Sequence, residues 1–297
     1  MKFIKRYLNN AKRERQTLRK LNSTVEYLTK KQSFHSRAMT STDDLIDRER
    51  TATPVVVSFT TYSKRIHDVY LVIESLGYQT VKANKIVLWL DQEEFSLETL
   101  PILLHKQIER GLEIKFCNNI RSYKKLIPSL KAFPDADIIT VDDDFLYPHD
   151  LIESLLKEKP NHPDTVIGIR SHCITHKNGN ALPYKKWGFE TSYDKNGKLT
   201  FLTTGAGTLF PAGILDNDFC DEAAFMSVCP FADDIWVNFM CIKKNISRVK
   251  IADDRRFRSR FLQLEEHQDI ALNNQNVHEN QNDLQVKAIV EKYNISL

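Results

Sequence analysis

The chain has 297 residues, enough for one large α/β domain or two small ones, and its apolar (41%) and charged (27%) fractions suit a folded globular protein. A net charge of +3 is too small to argue for nucleic acid, and five scattered cysteines without CxxC spacing argue against both a disulfide framework and a zinc site, favouring reduced thiols in a cytosolic protein. No apolar run is long enough to span a bilayer, and the start Met1–Arg6 is interrupted by charge too often for a signal-peptide core, so any membrane contact is expected to be peripheral.

The charge is unevenly spread: residues 1–40 carry eleven Lys or Arg against Glu14 and Glu26, leaving an acidic to neutral body. Residues 1–33 read as one basic helix with a thin apolar stripe (Leu18, Leu21, Val25, Leu28), which suits an anionic membrane surface, a partner helix or a solvated extension. Residues 34–53, rich in Ser and Thr, read as a linker, so 1–53 is expected to be an arm ahead of the main domain.

Residues 54–60 (PVVVSFT) have the β-branched pattern of a buried parallel strand, followed by a polar loop and an amphipathic helix over 66–78. The unit repeats with a strand at 85–91, a helix over 97–110 stopped by Gly111, a strand at 112–116, a helix over 122–133 and a strand at 138–141. Such alternation predicts a mostly parallel sheet flanked by helices. Beyond it, a helix over 150–158 and a strand at 165–169 precede a turn-rich stretch, 171–200, expected to form hairpins or a long loop over a site. Two glycines (Gly205, Gly207), an apolar helix over 231–243 opening with Asp233 and Asp234, a basic run (Arg255, Arg256, Arg258, Arg260) and a last short helix over 284–293 complete the chain.

The organising stretch is residues 137–148, an apolar run that ends in Asp142, Asp143 and Asp144. Three adjacent carboxylates at the carboxyl end of a parallel strand repel one another unless a cation or hydrogen-bond donors compensate them. Hard oxygen ligands of this kind suit Mn²⁺ or Mg²⁺ completed by phosphates, which makes the cluster a candidate metal and phosphate site. The competing reading is a solvated acidic turn in which Asp144 or Asp150 caps the next helix.

Together these elements resemble, from about Val55 to Ile251, the GT-A family of nucleotide-sugar glycosyltransferases. The matching parts are the first strand and its loop, a second strand ending in Asp91, Asp142-Asp143-Asp144 as the DxD motif, the Gly205-Ala206-Gly207 stretch and the later Asp233-Asp234 pair. The segment DDIWVNF is similar to the DDIxxNF stretch of exostosin-type transferases, and the overall order to bacterial transferases of surface polysaccharide synthesis.

The resemblance implies a Rossmann-like GT-A domain over 54–260, with 261–297 as a tail on or over the site. It implies a hexosyl- or N-acetylhexosaminyl-transferase that takes a nucleotide sugar, a UDP-sugar first of all, and a glycan or lipid-linked glycan acceptor. Asp144 becomes a direct Mn²⁺ or Mg²⁺ ligand and Asp142 a partner of the ribose or of the metal shell. Thr60, Tyr62 and Arg65 are expected to line the base and phosphates, Asp91 to hydrogen-bond the base, and Lys124 or Lys125 to reach the diphosphate. Either Asp233 or Asp234 then meets the acceptor hydroxyl or the reacting sugar, as general base or as a stabilising carboxylate; the bland alternative is a helix-start role for both. Among His172, His176, His267 and His278 in the covering segments, His278 is a candidate extra metal ligand. The expected location is cytoplasmic, peripheral at the inner face of the membrane, with no nucleic-acid partner. A phosphohydrolase or a non-catalytic nucleotide-sugar-binding scaffold are the other classes, although a haloacid-dehalogenase-type phosphatase needs its Asp pair directly after the first strand, where this chain has Thr60-Thr61-Tyr62.

Overall fold

A computed structural model describes residues 2–49, 53–190, 199–253, 255–266 and 280–297, with the backbone alone for 2–11. The chain opens with helix α1 (Lys2–Thr40), and β1 (Val55–Thr60), α2 (Val69–Gly77), β2 (Lys85–Asp91), α3 (Ile102–Glu109), β3 (Leu112–Cys117), α4 (Ile127–Ala132) and β4 (Asp137–Val141) follow in strict alternation. Next come β5 (Phe145–Leu146), α5 (Leu151–Glu158), β6 (Thr165–Gly168), β7 (Ser171–Cys173), β8 (His176–Lys177), β9 (Asn180–Ala181), β10 (Thr200–Leu202) and β11 (Ala206–Phe210). The chain ends with α6 (Glu222–Val228), α7 (Asp233–Lys243), β12 (Ser247–Lys250), α8 (Phe257–Arg260), β13 (Leu262–Gln263) and α9 (Gln281–Tyr293).

Seven strands form the central sheet in the order β12-β6-β11-β4-β1-β2-β3. All pairs are parallel except those of β11, which runs antiparallel to both β4 and β6. This is the mostly parallel, helix-flanked sheet expected from the sequence. Alternate residues of β1 feed the two faces: Val55, Val57 and Phe59 join the core under α2, α3 and α5, while Val56 joins that of α4, α6, α7 and α9. Between β1 and β4 the strand order reverses, so their carboxyl ends open a crevice there.

Several expected boundaries shift for local reasons. Pro101 divides the 97–110 segment into a single 3₁₀ turn and α3, and the 122–133 segment is a 3₁₀ turn (Arg121–Lys125) before α4. Larger is the change at the arm, where α1 runs on to Thr40 and buries Phe34 and Ala38, and the segment read as a linker buries Leu45 and Ile46. Hydrogen bonds fasten this segment to α3 and to the loop before β2: Lys106 Nζ donates to the Met39 carbonyl (2.7 Å), Arg110 Nε to the Asp43 carbonyl (2.8 Å), and the Asp47 amide to Ala83 (2.9 Å). Arg110 also grips the buried Glu74 of α2 with two nitrogens (2.5 and 3.1 Å), a geometry that satisfies both charges away from water.

Asp150 stands at the start of α5 but makes no side-chain cap. It accepts instead from Arg255 (2.7 Å) and Arg260 (2.9 Å), so two of the four arginines of the basic run tie the C-terminal segment back to α5. No single helix among the described residues is long and apolar enough to cross a membrane.

Candidate active site

A cavity of about 1250 Å³ lies at the switch point, walled by the loops after β1 and β4, the turn before β11, the start of α7, and residues 23–28 of α1. Thr60, Tyr62 and Arg65 line it, as do Lys124, Lys125, all three residues of the Asp cluster, Asp233 and Asp234. Asp91 is not among the lining residues: it is buried, and its carboxylate accepts from the Glu93 amide (3.0 Å), holding the turn after β2. Its expected contact with a base is therefore not supported by its position. His278 and His267 lie outside the described residues, as does the turn at 194–197, and His176 sits on an exposed hairpin strand.

The three carboxylates divide by function. Asp143 is buried and turned into the protein, where Thr61 Oγ1 (2.6 Å) and Arg65 Nη1 (2.6 Å) each donate to one of its oxygens. Burial pushes its pKa up, against the pull of Arg65. Arg65, tethered in turn by Asp143 and by Asp144 at 3.6 Å, is thus a structural cation under the loop as well as a wall of the cavity. Asp142 and Asp144, one residue to either side, line the cavity with side chains 41% and 15% exposed.

The position of Asp142 depends on a residue without a side chain. Gly205 packs flat against its carboxylate; a Cβ there would sit 1.6 Å from Oδ2. The buried Tyr147 hydroxyl fixes both backbones, accepting from the Asp142 amide (2.7 Å) and donating to the Gly205 carbonyl (2.6 Å). Two residues on, Gly207 at φ +90° carries the register shift that brings this turn over the cavity.

Lys125 joins the two acidic groups. Its ammonium lies 2.8 Å from Asp142 Oδ1 and 3.0 Å from Asp233 Oδ2. Burial works to lower its pKa, but Asp142, Asp233 and Asp234 outweigh that and raise it, so the amine stays charged. Lys125 is therefore already committed to carboxylates, and Lys124, buried but lining the same wall, has its pKa lowered by burial against the pull of Asp91.

Helix α7 starts at Asp233, with Ala232 at the cap position and no side-chain cap, so Asp233 is not the capping residue that its place at the helix start suggests. Its carboxylate is turned to Lys125 and to Thr204 Oγ1 (2.9 Å), and although burial alone would raise its pKa, Lys125, Ser122 and Thr204 pull it down. Asp234 takes the opposite shift. Burial and the neighbouring Asp233 push it up to about 6. Its Oδ1 receives the Thr204 amide (2.8 Å) and lies 2.5 Å from the Thr204 hydroxyl. Two adjacent carboxylates with opposed shifts are an arrangement suited to dividing charge-holding from proton transfer.

The donor set can be tested against a divalent ion. Asp142 and Asp144 offer hard oxygens, and no group of three or more His, Cys, Asp or Glu able to hold a metal occurs among the described residues. That fits Mg²⁺ or Mn²⁺, which are held by one or two carboxylates and completed by phosphates and water, and does not fit zinc. Thr61, Tyr147 and Thr204 escaped the sequence reading: a lone Thr or Tyr in a β-rich stretch carries no signal until the fold brings a carboxylate or carbonyl to it.

No protein-family model matches this sequence, and no curated protein does. Among solved structures it is similar to S. aureus TarS 1-349 in complex with UDP, at 15% identity and a TM-score of 0.48 over 68% of this chain and 59% of that one. It is also similar to the mannosyltransferase PcManGT from Pyrobaculum calidifontis in complex with GDP-Man and Mn²⁺ (13%, TM-score 0.44, 79% of this chain and 66% of that one). A third is CMP:2-keto-3-deoxy-manno-octonic acid synthetase complexed with CTP (12%, TM-score 0.41, 67% and 88%). The chain spans about 59% of the length of the TarS chain. With TM-scores below 0.5, these likenesses say nothing of what this chain itself binds or does.

Proposed function

We propose that the protein is a nucleotide-sugar glycosyltransferase, using a UDP-sugar and a divalent ion to extend a glycan or lipid-linked glycan acceptor in cell-surface polysaccharide or glycolipid synthesis. The observation that carries this reading is the sorting of the Asp cluster: Asp143 is consumed by Arg65 and Thr61, while Asp142 and Asp144 line the same cavity as Asp234. Asp142 and Asp144 would hold Mn²⁺ or Mg²⁺ together with the donor diphosphate. The ion's chemistry there is to offset the charge that develops on the leaving diphosphate. Thr60 and Tyr62 line the wall available to the nucleotide.

Asp234 is the residue assigned to proton transfer. As the acceptor oxygen bonds to the anomeric carbon, the bond from that carbon to the diphosphate breaks, the hydroxyl proton passes to the Asp234 carboxylate, and the electron pair leaves with the diphosphate. A carboxylate whose pKa is raised to about 6 is a stronger base than an ordinary one and is still ionised at neutral pH. Both contacts with Thr204 fall on Oδ1, which fixes the group and leaves Oδ2 for the proton. Asp233, bonded to Lys125, keeps the negative charge beside it.

For the arm, the exposed Leu18, Leu21, Val25 and Leu28 beside Lys12, Arg13, Arg15, Arg19 and Lys20 support attachment to an anionic membrane face, and the five free cysteines suit the cytoplasmic side. The test of the activity is a thermal-shift and hydrolysis screen of UDP- and GDP-sugars with and without Mn²⁺. Metal-dependent stabilisation by UDP is expected, and its loss in Asp144→Asn with the melting temperature otherwise kept; metal-dependent binding that survives this variant would sink the assignment.

A further inference from the structure

One stretch of the cavity wall is aromatic. His172, Tyr184, Phe189 and Phe201 line it together, with ring centroids 4.5 Å apart for His172 and Phe189 and 5.4 Å for Tyr184 and Phe189. Behind them Trp187 packs on Tyr184 (4.8 Å) and Phe201 (5.1 Å). Most of these rings are buried, as core aromatics are. Phe189 is the exception: it lines the cavity and is 47% exposed.

This exposure is held in place at a cost. The next residue, Glu190, is not a glycine yet adopts φ +48°, a left-handed conformation that L-residues avoid. Its amide donates to His172 Nδ1 (3.1 Å) and its carboxylate pairs with Arg170 (3.0 Å). His172 is suited to accept, because burial and Arg170 lower its pKa to about 4 and keep the ring neutral. From the other side, α9 buttresses the wall: the Tyr184 amide donates to Asp283 Oδ1 (2.6 Å).

Polar atoms without partners edge the same region. Thr203 and Asn282, each 7% exposed, line the cavity, and neither Thr203 Oγ1 nor Asn282 Oδ1 has a hydrogen-bond partner among the described residues. A buried polar atom left unpaired costs free energy, so its persistence at a cavity wall points to a ligand that completes it. The wall also adjoins Asp234, whose charge is near enough to add to the upward pKa shift that burial gives Tyr184.

We infer that Phe189, supported by His172 and Tyr184, is the platform of an acceptor subsite that takes a pyranose ring. Resting on the transferase reading above, the proposal names the chemistry that this stretch of the cavity wall recognises. A pyranose presents one face of C–H groups to an aromatic ring and hydroxyls around its edge to Thr203 and Asn282. A lipid chain would match the ring and leave the polar atoms unpaired; a phosphate would match neither the rings nor Asp234, and Arg170, the cation beside them, is already paired with Glu190.

The test uses the full chain with UDP and Mn²⁺, and methyl hexopyranosides (glucoside, galactoside and N-acetylglucosaminide) as probes, read by saturation-transfer NMR. At least one glycoside is expected to receive saturation mainly on the C–H protons of one ring face. That signal should fall about fivefold in Phe189→Ala and return in Phe189→Tyr, while UDP affinity stays within about twofold in all three proteins. No saturation of any glycoside by the wild type, or a signal indifferent to Phe189→Ala, overturns the subsite. Phe189-dependent glycoside binding without any UDP binding upholds the subsite and refutes the donor reading instead.

Discussion

The carboxylate of Asp142 occupies the space in which any side chain at Gly205 would begin, with 1.6 Å between Oδ2 and the place of a Cβ. Gly205→Ala is therefore expected to evict Asp142 from the cavity wall without touching any charged group. Metal-dependent UDP affinity, measured by calorimetry, should fall about tenfold or more, and stability by about 1–3 kcal/mol as the turn gives way. Unchanged UDP affinity would show that Asp142 is dispensable to the donor site.

Among the described residues Lys125 alone bridges Asp142 and Asp233, and it is buried. Lys125→Met keeps most of the volume and strips the cation from two carboxylates, a change that costs about 3–5 kcal/mol where such a pair is broken from one side. The melting temperature should drop on the order of 10 °C. Adding Asp233→Asn should recover part of the loss, because it removes one of the stranded charges; strictly additive effects in the four-protein cycle would show that the two residues do not interact.

Asp234→Asn is expected to lower turnover by about 10² or more while UDP-sugar affinity stays within about threefold. In the wild type, Asp234 is protonated below about pH 6, so turnover should rise with pH through that value and then level. The sign for stability is opposite. A folded-state pKa raised above the ordinary carboxylate value means that its stabilising contribution is full below that ordinary value and is lost as pH climbs through about 6. Melts across this range should thus show wild type losing ground relative to Asp234→Asn as pH rises. A parallel pair of melting curves, or a rate limb unmoved by the substitution, counts against the assignment.

Two truncations separate the uses of α1. Removing residues 2–20 should leave UDP affinity within about twofold but weaken association with anionic vesicles more than tenfold at low salt, since each basic residue near such a surface contributes about 1 kcal/mol and screening removes it. Removing 2–33 also deletes Tyr27 and Lys31, both bonded to Glu266, and the cavity wall at 23–28. That longer deletion should lower the melting temperature and UDP affinity together. Equal vesicle binding by the intact chain and the 2–20 deletion would exclude the arm as the anchor.

How much of this was legible in the sequence follows from the range of each interaction. Strands β1 to β4 announced themselves because their β-branched runs are local, and Asp142–Asp144 did so because three carboxylates in a row need a reason. The antiparallel run of β11 was hidden, since Ala206–Phe210 looks alike in either direction. Phe34, Ala38, Leu45 and Ile46 were lost among Ser, Thr and charge, and only the partners on α2 and α3 reveal them as core. Asp150 misled in the same manner: a carboxylate at a helix start looks capping, and what decides is whether an arginine reaches it first. Tyr147 and Thr204 gain their roles from residues 58 and 30 positions away, a relation that no local pattern holds.

The burial of residues 34–46 has a mechanical consequence. Because α1 is a single helix whose last turns are clamped to α2 and α3, its first half cannot swing like a rope; it points wherever the body points. The segment Leu18–Leu28 carries the exposed stripe along its length, and its second half, from Ser23, forms the cavity's lip. On the membrane attachment proposed above, such a helix would act as a runner under a sledge: it would set the height and heading of the cavity mouth, so that acceptors would be taken only from the thin layer immediately above the surface.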